Sequence, residues 1–561
     1  MIKEQVFFSA WRFYFVLSIL FVIVIGLVVR IFDLGIFDQH FLRQQGDERV
    51  LRLVSTKAFR GMIVDRNKFP LAVSTTVYSV WINPKDFFAE KDKLKQLSQL
   101  LGISANEIVV ITKKYQKTKR EFVYLKRSLS PQVAQQIKLL DISGVHTQEE
   151  YRRYYPEGEV TAQVVGLTNV DDQGQEGLEL TYNEWLAGEK GKKWVIKDRL
   201  GRAISDVQTV QEQKAGNDLI LSIDRRIQYL AYRELMAGVL ENQAASGSIV
   251  ILNSKTGEVL AMVNYPSFNA NNRSGSHQAS YRNRAVTDTF EPGSTIKAFS
   301  IASALDSKKF KPDSVIDTTP GWIRLDHNIV RDEHRVGLMT LTEILQISSN
   351  VGTAKMIITL PPNQLWSLLH RVGFGEITGI GFPGEQNGSL VRRERWGAFT
   401  LATLSFGYGI SVTPLQLARA YSVIANAGYK LPVSLLRLDK PPTGEQVIDP
   451  KVAKQMLLLL ETVVSTKGAT GELASVTGYR IAGKTGTSKM TLAHGRGYEK
   501  HRYVASFVGI APVSNPQLVI AVVIHDPRGK KYLGGPVAGP IFEKVMEGTL
   551  RIMNIPPDGV A

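Results

Sequence analysis

From Phe13 to Val29 the chain reads FYFVLSILFVIVIGLVV, about 17 residues without a charge, at the lower limit for a helix that crosses a bilayer core. No other feature limits the fold as strongly. Trp11, Tyr14 and Phe32 stand at or near the ends of the run, where aromatic rings favour the headgroup level. A removable leader would need a small-x-small site just beyond the apolar core. Arg30-Ile31-Phe32-Asp33-Leu34 follows instead, so the run reads as a retained anchor over 13–32 behind a tail of residues 1–12. Lys3 and Arg12 precede it and Arg30 and Arg43 follow it, so flanking charge decides little. The small N-terminal flank and large C-terminal body favour a cytoplasmic N-terminus and an exported body.

That body is large. The chain has 561 residues, 44% of them apolar, enough for two or more domains with real cores. It has no cysteine, which removes disulfides, thiolate metal sites and cysteine nucleophiles together. The net charge of +16 would suit nucleic acid, anionic lipid or an acidic polymer. The basic residues are dispersed, however. The densest run, KYQKTKREF (114–122), carries no nucleic-acid motif. The histidines show no ligand spacing. No metal, cofactor or nucleic acid is expected.

Residues 55–90 alternate apolar and polar positions, as in MIVDRN and VYSVWINP, and read as short strands. Residues 91–150 read as amphipathic helices. LKQLSQLLG ends on a glycine suited to a C-cap, and SPQVAQQIKLLD opens with serine and proline in helix-start order. Residues 58 to about 230 form an extended mixed module, with strand-like KKWVIKD and DLILSID. A helix over 225–242 and a β-hairpin over 247–265, turning at Thr256-Gly257, open a compact body. A long helical middle ends near 475; strand-like runs cover 479–488 and 503–527, and a last helix about 537–553. The class expected is α+β, an antiparallel sheet with helices on both sides over 231–553, then a tail of 554–561.

Within FEPGSTIKAF (290–299), Ser294 and Lys297 stand three positions apart at the start of an apolar helical run. Alone, the serine is an ordinary N-cap candidate. Farther on, ISSNVG (347–352) holds Ser348 and Asn350, and GKTGTS (483–488) holds Lys484, Thr485, Gly486 and Thr487. Ser-x-x-Lys, Ser-x-Asn and Lys-Thr-Gly in this order resemble the active-site signature of penicillin-binding proteins and serine β-lactamases.

The chemistry needs these residue types. Positions i and i+3 share a helix face, so Lys297 can take a proton from Ser294. It does so only when neutral, which burial and a second cation, Lys484, both favour. The helix start offers free N–H groups where an oxyanion forms, the Ser294 N–H among them, and the Thr487 N–H is the second donor expected. Ser348 can relay a proton, and Asn350 can bond an amide in both senses. Gly486 lets substrate backbone lie close to the strand. Thr485 and Thr487, with Lys484, suit a substrate carboxylate.

Over nearly its whole length the chain resembles the class B penicillin-binding proteins, and their division-specific branch most. RGMIVDRNKFPLA (60–72), EGLELTYNEWLAGEKG (176–191), KDRLGR (197–202), SFGYGISVTPLQLARAYSVIANAGY (405–429) and the ending GGPVAGPIFEKVMEGTLRIMNIPPD carry the likeness. Ser488 departs from the alanine of many relatives. The resemblance implies D,D-transpeptidation of peptidoglycan stem peptides through an acyl-Ser294 intermediate that β-lactams trap. It also implies a non-catalytic pedestal or dimerisation-type module over 58–230, within which Arg60, Asp65 and Arg66 are structural, Asp65 and Arg66 through ion pairs. The implied setting is the inner membrane, with a periplasmic catalytic domain at the division septum. The implied partners are membrane lipid, an FtsW-type glycosyltransferase and other divisome membrane proteins. A side-wall class B enzyme, a D,D-carboxypeptidase, an anchored β-lactamase, a β-lactam sensor and an inactive division scaffold are the competing readings. The long pre-catalytic module argues against a small-molecule hydrolase. The short segment before the anchor argues against a sensor, and the intact motifs against a scaffold.

Overall fold

A computed structural model describes residues 10–118, 120–197, 203–275, 277–333, 337–492 and 497–559. Most of the KDRLGR stretch, the first nine residues and the last two lie outside the described residues. The apolar run forms one helix, Ala10–Phe32, with no buried residue. A helix of that length spans about 30 Å, which fits a single membrane anchor.

The chain divides into two compact units. One comprises residues up to Phe59, Thr76–Glu150 and Gly188–Ala215. In it Leu51–Thr56, Gly191–Lys197 and Ala203–Gln211 make a three-stranded antiparallel sheet. A small core joins Val80 to Leu97, Leu101, Ile108 and Ile137. The helices there carry the caps the sequence offers. Lys91–Leu101 stops at Gly102, whose φ of 63° is left-handed, and Ser130 caps Pro131–Leu139 by accepting from the Val133 N–H.

The other unit comprises Arg60–Thr75, Tyr151–Ala187 and everything from Gly216. Arg60 is structural, as expected: it is wholly buried and bonds Glu179, which also accepts from Arg153. Arg66 pairs with Glu258 at 3.6 Å. Asp65 departs from the expected ion pair. It accepts from the backbone N–H groups of Asn67, Phe69 and Arg225 and so fastens a turn to the start of the next helix.

That helix, α1 (Arg225–Glu241), leads into β1 (Ser246–Asn253) and β2 (Val259–Tyr265). The sheet is completed by β3 (Ala482–Thr491), β4 (Tyr498–Ala511) and β5 (Leu518–His525), in the antiparallel order β2-β1-β5-β4-β3. All eight residues of β5 are buried. Alternate side chains enter two cores: Ile520, Val522 and Ile524 meet α1 and the last helix, while Val519, Ala521 and Val523 face the opposite way. A sheet covered on both faces needs continuous apolar strands, as the sequence shows here. The segment between the hairpin and β3 is not purely helical. Short pairs, Val315–Asp317 with Leu338–Thr340 and Trp322–Leu325 with Asn328–Arg331, interrupt it. Their few residues have too little periodicity to stand out in sequence.

Candidate active site

The nucleophile candidate sits on a tight turn. Gly293–Ile296 is a single 3-10 turn running into α2 (Lys297–Asp306). Ser294 is therefore not the helix N-cap. That position is Pro292, and no side chain caps it. Gly293 has φ 55°, a conformation that costs other residues about 1 kcal/mol or more. A Cβ there would lie 2.8 Å from the Thr487 carbonyl, so the turn rests directly on β3. Glu291 braces it from behind, accepting from the Gly409 N–H at 2.8 Å. Burial pushes the Glu291 carboxyl up.

Lys297 is wholly buried. Its Nζ donates to the Ser348 carbonyl (2.5 Å), Ser348 Oγ (3.1 Å) and Asn350 Oδ1 (2.8 Å). Three N–H groups and three acceptors describe a saturated ammonium. Ser348 adopts φ 63°, and this left-handed turn presents both its carbonyl and its hydroxyl to one lysine. Burial pulls Lys297 down to about 7, against the opposing carboxylates of Asp332 and Glu333. The i, i+3 spacing brings Lys297 to the Ser-x-Asn motif; no hydrogen bond joins it to Ser294 here.

Lys484, on edge strand β3, is also wholly buried. Its Nζ donates to Thr485 Oγ1 at 3.1 Å. Burial, and next the Lys297 cation, hold it well below the usual lysine range. Thr487 Oγ1 accepts from the Gly534 N–H at 2.9 Å, which leaves its own proton to donate. Gly486 has a different reason from the one expected. A Cβ there would stand 2.4 Å from Ser506 Oγ and 2.9 Å from the Pro292 carbonyl, so its bareness admits the nucleophile turn itself. An edge strand keeps one row of N–H and C=O groups unpaired by the sheet, which is what a second oxyanion donor requires.

A cavity of about 450 Å³ is lined by Ser294, Ser348, Asn350, Thr485 and Thr487 together. Residues the sequence reading missed line it too. Tyr503 and Tyr532 stack at 4.5 Å on one side. Asp332 and Glu333 arrive from the end of the hairpin strand Asn328–Arg331. Asp332 accepts from Ser349 Oγ (2.6 Å) and from the N–H groups of Asn350 (2.5 Å) and Val351 (2.9 Å). It thus anchors the start of α3 (Asn350–Ile357), where orphan N–H groups and the helix dipole favour a negative charge. Nothing in VRDE by itself announces this, because the partners meet only in the folded chain.

A two-sided antiparallel sheet whose edge strand holds a buried lysine, set against a serine turn and a second buried lysine, is the architecture of the penicillin-recognising serine acyltransferases. The chain belongs to the class B penicillin-binding proteins. Residues 247–547 match the penicillin binding protein transpeptidase domain, and 55–221 the penicillin-binding protein dimerisation domain. It is 42% identical to the probable peptidoglycan D,D-transpeptidase PbpC of Pseudomonas aeruginosa, over 98% of this chain and 96% of that one. It is 41% identical to the peptidoglycan D,D-transpeptidase FtsI of Escherichia coli, over 100% and 94%. Penicillin binding protein 3 of Mycobacterium tuberculosis, solved in complex with aztreonam, superposes with a TM-score of 0.70 at 26% identity, over 90% of this chain and 98% of that one.

Proposed function

We propose that the chain is a septal peptidoglycan D,D-transpeptidase. Ser294 is its nucleophile, Lys297 the base, Ser348 a proton relay and Asn350 an amide contact. The donor's terminal carboxylate is held by Lys484, Thr485 and Thr487, with Gly486 keeping the strand against the turn. The observation that carries this reading is the Lys297 amine, poised at about 7 and bonded to Ser348 and Asn350 in the cavity that Ser294 lines. When Lys297 gives up a proton it loses one donor and gains a lone pair, which is free to accept the Ser294 proton. Oγ then adds to the penultimate D-alanine carbonyl, and the oxyanion meets the N–H groups of Ser294 and Thr487. Lys297, through Ser348, returns the proton to the departing D-alanine amine. An amine from a neighbouring strand later displaces Ser294 from the acyl-enzyme. β-Lactams enter by the same first step and stay.

In the same reading residues 1–12 are a cytoplasmic tail and 13–32 cross the inner membrane. Residues 58–230 are a non-catalytic docking module, 231–553 the periplasmic transpeptidase and 554–561 a tail. Partners would be an FtsW-type glycosyltransferase and other divisome membrane proteins. The relatives named FtsI support the septal role over a side-wall one.

The test is labelling of the full-length protein with a fluorescent penicillin, followed by peptide mapping. The adduct is expected on Ser294 and absent from Ser294→Ala; an adduct elsewhere ends the assignment. Depletion in the native cell should give filaments that keep elongating. Round cells that still divide would mean the side-wall branch. Protease added to spheroplasts should digest the body and spare a tag at residue 1.

A further inference from the structure

Two carboxylates line the catalytic cavity, and only one has work inside the fold. Asp332 spends both oxygens on the Ser349 hydroxyl and the first N–H groups of α3. Glu333 is exposed and, among the described residues, has no hydrogen bond or ion pair, yet it lines the same cavity as Ser294. Its charge reaches Lys297, Lys484 and Tyr408. The positive charge that would hold a donor carboxylate comes from β3. Glu333 comes from the end of a separate hairpin strand, so the cavity carries opposite charges on separate elements.

A transpeptidase has a use for this arrangement. Once the donor's terminal residue has left, its carboxylate has gone too. The second substrate is an amine, which in water is an ammonium with a pKa of about 10. We propose that Glu333 is the specificity residue for that acceptor, holding its ammonium at the mouth of the acyl-enzyme; this rests on the transpeptidase reading above. The carboxylate attracts the cation and does not itself take the proton. Lys297, in its neutral form, removes one proton from the ammonium. The freed amine nitrogen adds to the ester carbonyl, the bond from carbon to Ser294 Oγ breaks, and the nitrogen's surplus proton passes through Ser348 to Oγ. The products are an amide, the free serine and one net proton, which leaves Lys297 for water. Neutral nucleophiles such as water or an alcohol gain nothing from Glu333, so the residue biases the acyl-enzyme toward aminolysis over hydrolysis.

The experiment uses the full-length protein in detergent, acylated from a D-alanyl thioester donor. D-Alaninamide serves as a cationic acceptor without a carboxylate, and methanol as a neutral one. In Glu333→Gln the KM for D-alaninamide should rise roughly fivefold, as for one exposed ion pair. Acylation by donor or penicillin and methanolysis should stay unchanged, and Glu333→Asp should keep most of the preference. The wild-type KM for D-alaninamide should rise with salt, while that of Glu333→Gln stays flat. Equal aminolysis in wild type and Glu333→Gln overturns the proposal. So does a parallel loss of methanolysis, which would mark a structural defect. Failure of Ser294 to acylate at all would instead strike the transpeptidase reading, and the acceptor assignment with it.

Discussion

Replacing Lys297 with methionine, an unbranched side chain of similar length, should abolish acylation and stabilise the protein. Lys297 ordinarily titrates at 10.5 and here is pulled down to about 7. At about 1.4 kcal/mol per unit, burying this amine costs on the order of 5 kcal/mol at pH 7. The methionine variant escapes that cost. It loses three hydrogen bonds, worth about 1 kcal/mol each. The net gain at pH 7 is roughly 2 kcal/mol, a few degrees in Tm. The sign reverses with pH. Between about 7 and 10.5 the unfolded chain binds the proton that the folded chain has lost, so wild-type stability rises with pH by this contribution. The variant lacks it. The advantage of Lys297→Met should be full at or below pH 7, shrink above it and invert about one to two units higher. Calorimetry on both full-length proteins from pH 6.5 to 9 measures this. A stability gap that does not narrow with pH, or a variant less stable at pH 7, would refute the claim that the buried cation is a cost retained for chemistry.

The acylation rate should climb as pH rises through about 7 and then level off, because only neutral Lys297 accepts the serine proton; stopped-flow with a chromogenic β-lactam reads it. Asp332→Asn should shift that midpoint to lower pH, since its carboxylate holds the lysine up, and should slow acylation by loosening the start of α3. Gly486→Ala should cut acylation at least tenfold, because the new Cβ meets Ser506 and Pro292 and pushes the serine turn off the strand; penicillin binding at saturation separates this from unfolding. Lys484→Ala should weaken penicillin acylation strongly by removing the carboxylate's cation, visible as a lower second-order rate with Ser294 still the labelled residue.

Local pattern was enough for much of this protein. The uncharged run from Phe13 to Val29 fixes a helix because backbone N–H and C=O groups in lipid have no other partners. The turn at Thr256-Gly257, the glycine at 102 and the serine at 130 specify their turn and caps through nearest-neighbour geometry. The order Ser294, Lys297, Ser348, Asn350, Lys484 names a chemistry because those residue types do little else together. What tertiary structure decided is who touches whom. Lys297 reaches Ser348 and Asn350, not Ser294, because a left-handed residue turns that loop inward. Lys484, which could have been an exposed strand charge, is wholly buried. Asp332 and Glu333 enter the cavity from a hairpin too short to leave a periodic trace. Residues 60–75 and 151–187 pack into the catalytic unit although they precede it in the chain. Sequence periodicity records which face of an element is buried. It holds no record of which distant element covers that face, and the site is made of such meetings, where burial sets the charge on the two lysines.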